Sequence, residues 1–87
     1  VVVTAARILA AGPSVVHVVP LTSTVRGFHA EVVLLPDAEN GLDQTSAAQC
    51  QHLRAASPDR IVAVRGNVGP SALAVLRETI ATILDIP

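Results

Sequence analysis

The chain contains no lysine and only one cysteine, Cys50, among its 87 residues. One thiol cannot close an internal disulfide, which excludes a disulfide-stapled secreted scaffold and makes a reducing cytoplasm the simpler expected location. Its six cations are all arginine, and against seven acidic residues they leave a formal net charge of −1. The basic excess that favours binding to a phosphate backbone is therefore missing. Long hydrophobic runs are also missing: Arg7, Pro20 and Pro36 interrupt the apolar stretches well short of the ~20 residues a membrane span needs. No basic segment precedes an apolar one as it would in a secretory leader. A soluble chain with no membrane partner is expected. There is no glycine-rich phosphate loop, no G-x-S-x-G elbow and no H-E-x-x-H. His17, His29 and His52 are 12 and 23 residues apart, and with a single thiol they give no spacing of zinc-ligand type. Neither a metal nor a cofactor is expected.

What is present is apolar: 51% of the residues are hydrophobic and 15% charged, a balance that excludes disorder. The length fits one domain. A globule this small buries only ~60–65% of its unfolded surface, so a homodimer is a natural supplement to its stability. The all-arginine cation set suits phosphate, whose geometry the planar guanidinium matches, but a GC-rich coding sequence produces the same bias.

Residues 1–3, all valine, read as a strand already under way, which predicts a preceding segment. Residues 4–11 offer a Thr4 cap and good helix formers before Gly12-Pro13, predicting one short helical turn. Residues 14–24 form a β-branched run for a strand buried on both faces, with Pro20 at an edge or bulge. Residues 25–29 read as a loop and 30–35 as a second strand. Asn40-Gly41 marks a turn. Residues 45–55 read as a more polar strand, 57–60 as a turn and 61–65 as a last strand. Gly69-Pro70 opens a helix whose apolar face is Leu73, Leu76, Ile80 and Ile83, with Arg77, Glu78 and Thr82 on the solvated side. This order predicts a mostly β (α+β) domain, a small antiparallel barrel closed by a C-terminal helix.

His17, inside an apolar strand, is expected to be an interior side chain, and Cys50 a small buried one. The stretch Pro20-Leu21-Thr22-Ser23-Thr24-Val25-Arg26-Gly27 places three hydroxyls and an arginine where a strand leaves its sheet. Threonine donors and a guanidinium there can hold a phosphate. Serine and threonine are also ordinary strand-end residues, and Arg26 or Arg54 can equally form a surface ion pair, to Glu31 or Asp43 for instance, worth ~0–1 kcal/mol.

Val1-Val2-Val3-Thr4, the run from His17 to Phe28, Glu31-Val32-Val33-Leu34 and Asn40-Gly41-Leu42 together resemble the MazF/PemK family of toxin endoribonucleases. Thr45-Ser46-Ala47-Ala48, Gln51-His52-Leu53-Arg54, Arg65-Gly66 and the Gly69-Pro70 helix follow in the family's order, so the resemblance runs nearly the whole length. It implies an SH3-like barrel with a C-terminal helix, assembled as a homodimer. It also implies metal-independent, sequence-specific cleavage of single-stranded RNA through a 2′,3′-cyclic phosphate. By resemblance Thr22 takes the catalytic threonine's place, and Ser23, Thr24, Arg26, Gln51, His52 and Arg54 are RNA-binding candidates. The implied partners are a MazE-like antitoxin and single-stranded RNA, with operator DNA reached only through the antitoxin.

Two departures follow from the same comparison. The family's catalytic arginine lies in a G-S-E-x-x-x-x-R-P loop before the strand that starts here at Val1, so residues 1–87 are expected to be one toxin domain lacking the first strand and the loop after it. His52 stands where relatives commonly carry glutamine. A catalytically silent module that binds antitoxin or co-represses its operon is the alternative, and a gyrase poison on the same barrel a weaker one.

Overall fold

Pro20 divides the apolar run of residues 14–24 into two strands that belong to different sheets. The computed structural model describes residues 1–87. After a four-residue helix α1 (Ala6–Leu9) come β1 (Val16–Val18) and β2 (Leu21–Thr22), then β3 (Glu31–Leu34), β4 (Ser46–Gln49), β5 (Arg54–Ala56) and the C-terminal helix α2 (Gly69–Ile83). Proline has no N–H to donate to a ladder, but its carbonyl still accepts from the Gln49 N–H at 2.9 Å. The chain therefore turns at Pro20 without leaving a backbone acceptor idle.

The strand expected over 45–55 is broken in the same way. Cys50–His52 forms a 3-10 turn between β4 and β5. β1 pairs antiparallel with β5, Val16 opposite Ala56 and Val18 opposite Arg54. β4 is the middle strand of the second sheet, with Leu21 of β2 on one side of Ala48 and Val32 of β3 on the other. Two bent segments thus pass from one sheet to the other at facing points. The antiparallel, mostly β architecture with a terminal helix is as expected, distributed over a two-stranded and a three-stranded sheet.

The core lies between these sheets and α2. Val3, Val19, Leu34, Ala48, Cys50 and Leu76 form one buried cluster, against which Ala72, Leu73 and Ile80 of α2 pack. Three of the four residues of the expected helix face are thereby placed; the fourth, Ile83, is 45% exposed. Arg77 is exposed, as expected, and it also donates from Nε to the Val3 carbonyl at 3.2 Å and from Nη2 to the Thr4 carbonyl at 3.3 Å. It ties the helix to the chain's first residues.

Four further expectations are corrected. Thr4 does not cap α1, whose N-cap is Ala5 with no side-chain bond; its Oγ1 accepts from the His17 N–H at 2.8 Å, standing in for a ladder carbonyl. His17 is exposed, because strand alternation turns it away from the face of buried Val16. Residues 61–65 form no strand, since nothing hydrogen-bonds beside them, and Val62 is 98% exposed. The opening residues pair only through Val2 opposite Val18, Val1 bonded to Val19 and Val3 bonded to His17.

That pairing turns the N–H and C=O of Val2 away from β1. Val2 lines a groove of about 550 Å³ whose other wall is Ile61 and residues 63–68, with Val1, Leu21, Leu42 and Leu73 among the rest of its lining. Two unpaired backbone edges thus flank one apolar channel. No helix is long and apolar enough to cross a membrane.

The far end of the second edge is locked by close backbone approach. Asn40, 8% exposed, accepts at Oδ1 from the Asp37 and Leu42 N–H groups and donates to the Leu35 carbonyl at 2.8 Å. The Asn67 N–H reaches the Glu39 carbonyl at 2.8 Å. A Cβ on Gly66 would run into the Glu39 carbonyl oxygen, and one on Gly41 (φ 67°) into that of Arg65. Gly66→Ala is therefore expected to destabilise by about 1–3 kcal/mol, the range for forced backbone shifts. That corresponds to a fall in Tm of about 4–8 °C for each kcal/mol in a domain of this size. An unchanged melting curve contradicts the interlock.

Candidate nucleic-acid interface

β4 holds the site in place. In its register Thr22 lies opposite Ala47, and Val33 lies on Ala47's other side. One row along, Gln49 lies opposite Glu31. Side chains alternate across a strand, so Thr22, Ala47, Val33, Gln49 and Glu31 share the outer face of the sheet, while Ala48, Val32 and Leu34 turn to the core. The hydroxyl expected to carry chemistry is on a surface, half-buried, and not in the hydrophobic interior.

Thr22 Oγ1 accepts from the Thr24 N–H at 3.1 Å. This turn fixes the oxygen and leaves the O–H proton available to donate outward. Ser23, Thr24 and Arg26 follow on the exposed loop. The loop folds back onto β3: the Arg26 N–H donates to Glu31 Oε2 at 3.3 Å, and the Glu31 N–H to the Phe28 carbonyl at 3.0 Å. Gly27 takes the bend with φ 74°. Glu31 is 9% exposed, and its Oε1 is buried with no hydrogen-bond partner.

The other sequence candidates lie further off. Gln51 and His52 are exposed in the 3-10 turn, which packs against β3 and α2. Arg54 lies opposite Val18, four residues before Thr22, up to about 13 Å along an extended chain. No hydrogen bond links these three to the Thr22 loop. The structure gathers Thr22, Ser23, Thr24 and Arg26 with Glu31 and Gln49.

Sequence reasoning named Glu31 only as a salt-bridge partner and missed Gln49. A carboxylate inside the apolar run of residues 30–35 was the available signal for Glu31, since a buried charge needs a reason. Gln49 carries no signal without the register. Cys50 behaves as expected: it is 2% exposed, its Sγ lies 3.9 Å from the Leu76 carbonyl, and burial pushes the thiol above its ordinary value. A buried thiol held protonated is a poor nucleophile. No three His, Cys, Asp or Glu side chains come together as a metal would require.

Residues 1–84 match the family model described as PemK-like, MazF-like toxin of type II toxin-antitoxin system. The chain belongs to this family. Among MazF relatives it is 32% identical over 75 residues to "Endoribonuclease MazF9" of Mycobacterium tuberculosis, a match that takes in 86% of this chain and 64% of that protein. The chain thus spans just under two thirds of that relative's length. Its fold superposes on the M. tuberculosis toxin MazF-mt6 with a TM-score of 0.82 at 29% identity, covering 100% of this chain and 85% of the other. The MazE-MazF structure from Deinococcus radiodurans shares the fold, with a TM-score of 0.74 at 20% identity over 92% of this chain and 78% of its own. The bent strands at Pro20 and at the 3-10 turn are therefore parts of a MazF-type fold.

Proposed function

We propose that this MazF-family protein is the toxin of a type II toxin–antitoxin pair and that it cuts single-stranded RNA at the outer sheet face around Thr22. The observation that carries this reading is the Thr22 hydroxyl: half-buried at a strand end, its oxygen held by the Thr24 N–H at 3.1 Å and its proton free. In the reaction proposed, the ribose 2′-oxygen forms a bond to the adjacent phosphorus as the P–O5′ bond breaks. The proton lost from the 2′-hydroxyl is matched by one gained at the departing 5′-oxygen. A 2′,3′-cyclic phosphate and a 5′-hydroxyl remain. Charge gathers on the non-bridging phosphate oxygens, where a prepositioned donor stabilises the transition state most. Thr22 donates there, and Ser23, Thr24 and Arg26 hold neighbouring phosphates. Gln51, His52 and Arg54 belong to this proposal as more distant contacts along the strand.

The catalytic guanidinium of this proposal comes from a segment preceding Val1, and the groove between residues 1–4 and 61–68 supports a strand seat for that segment. Its walls are apolar, and each offers unpaired backbone groups to an inserted strand. A MazE-like antitoxin, a second copy of the chain and action on cytoplasmic mRNA complete the reading. The MazE-MazF fold neighbour supports the first of these. Exposed Val75, Ile83, Leu84 and Ile86, on and after α2, support the second.

The test is incubation of the protein, with its natural upstream residues, with a panel of single-stranded RNAs in the presence of EDTA. Cleavage at short defined sequences with cyclic-phosphate ends is expected. Intact RNA throughout, with tight antitoxin binding retained, overturns the enzyme in favour of a silent binding module.

A further inference from the structure

Glu31 is the one side chain whose placement the fold does not explain. It lies on the outer face of the three-stranded sheet, nine-tenths buried, where its neighbour two residues on, Val33, is 49% exposed. One carboxylate oxygen accepts from the Arg26 N–H at 3.3 Å; the other is buried and unpartnered. A buried, half-satisfied carboxylate opposes folding by the desolvation of its idle oxygen. An apolar side chain would serve the sheet better, so its retention points to a task outside stability.

We infer that Glu31 is a positioning residue for RNA: it anchors the arginine-bearing loop, residues 23–28, against the sheet so that Arg26 is presented on the side of Thr22. The inference rests on the ribonuclease reading for its RNA arm and on geometry alone for the loop. The loop has few other restraints. Its remaining ties are the Thr24 N–H to Thr22 Oγ1 and the Glu31 N–H to the Phe28 carbonyl, and Gly27 at φ 74° has no atom near the position of a Cβ. Without the carboxylate, nothing holds Arg26 itself. Thr22 touches this loop only through the Thr24 N–H, and its backbone is held separately by the ladder of β2 to β4. Glu31 therefore governs how RNA is held, and Thr22 how fast it is cut.

Three variants test this. Glu31→Leu fills the same space without an acceptor, Glu31→Gln keeps a carbonyl oxygen for the Arg26 N–H, and Glu31→Ala replaces the leucine variant if that one fails to fold. The first readout needs no RNA: trypsin cleavage after Arg26 is expected to be several-fold faster in Glu31→Leu and unchanged in Glu31→Gln. Glu31→Gln is expected to melt at or above the wild-type temperature, since it buries no charge. With RNA, Glu31→Leu is expected to raise KM about tenfold, the weight of one loop-anchoring hydrogen bond to a charged group, with kcat within about twofold. In an Arg26→Ala background the same substitution is expected to add much less than it does in the wild type, because most of its effect passes through Arg26. An unchanged tryptic rate, or additive KM effects, overturns the inference. A wild-type protein that cuts no RNA overturns the ribonuclease reading instead, and the tryptic comparison still decides whether Glu31 anchors the loop.

Discussion

Thr22→Ala is expected to lower the rate of RNA cleavage by about 10²–10³-fold, the range seen when one prepositioned donor to a developing oxyanion is removed. The loss is expected in kcat, because the hydroxyl acts on charge that appears only in the transition state. The fold should survive. Thr22 sits on the outer face, half-buried, and its side chain makes one hydrogen bond, from the Thr24 N–H, whose loss removes about 0.5–1.5 kcal/mol. Thr22→Ser keeps the donor and should keep most of the activity. Single-turnover cleavage of a defined RNA, with circular dichroism as the check on folding, makes the measurement. Equal rates for the alanine variant and the wild type remove Thr22 from the chemistry.

Leu76→Ala is expected to have the largest effect on stability, a loss of about 2–5 kcal/mol. Leu76 is fully buried at the centre of the cluster formed with Val3, Val19, Leu34, Ala48 and Cys50, where α2 meets β3 and the 3-10 turn. Removing its branched end leaves a cavity that the rigid sheet beneath cannot close. A domain of 87 residues starts from a small margin, so this one change should leave a large unfolded fraction at ordinary temperature. Urea denaturation should show a lower midpoint with an unchanged slope. A shift worth less than about 1 kcal/mol contradicts the placement of α2 as the core's lid.

Part of this molecule is local in origin. The helix from Gly69 was legible because its N-terminal Gly-Pro and its apolar spacing are local signals, and Leu73, Leu76 and Ile80 do face the core. The turn at Asn40-Gly41 was legible for the same reason. Thr22 to Arg26 stood out as polar groups at the end of an apolar strand, and the structure keeps them together on a surface loop. Two expected strands were too long because periodicity does not reveal which sheet a residue joins: 14–24 bends at Pro20 and 45–55 at Cys50–His52. Residues 61–65 carry strand composition but no ladder, since a strand exists only where another backbone lies beside it. His17 was misplaced, and the grip of exposed Arg77 on the Val3 and Thr4 carbonyls went unseen, because exposure and clamping depend on neighbours distant in sequence.

From the amino-acid order alone came the class of fold, the family likeness and the hydroxyl-bearing segment, because each rests on residue type and spacing along the chain. Tertiary structure alone decided that Glu31 and Gln49 share a sheet face with Thr22, that Arg77 grips the carbonyls of Val3 and Thr4, and that two unpaired edges border one groove. Those facts arise from register and from contacts between segments up to 74 residues apart. Pairing of that kind is set by how the whole chain buries its apolar surface, and no local window of sequence contains it.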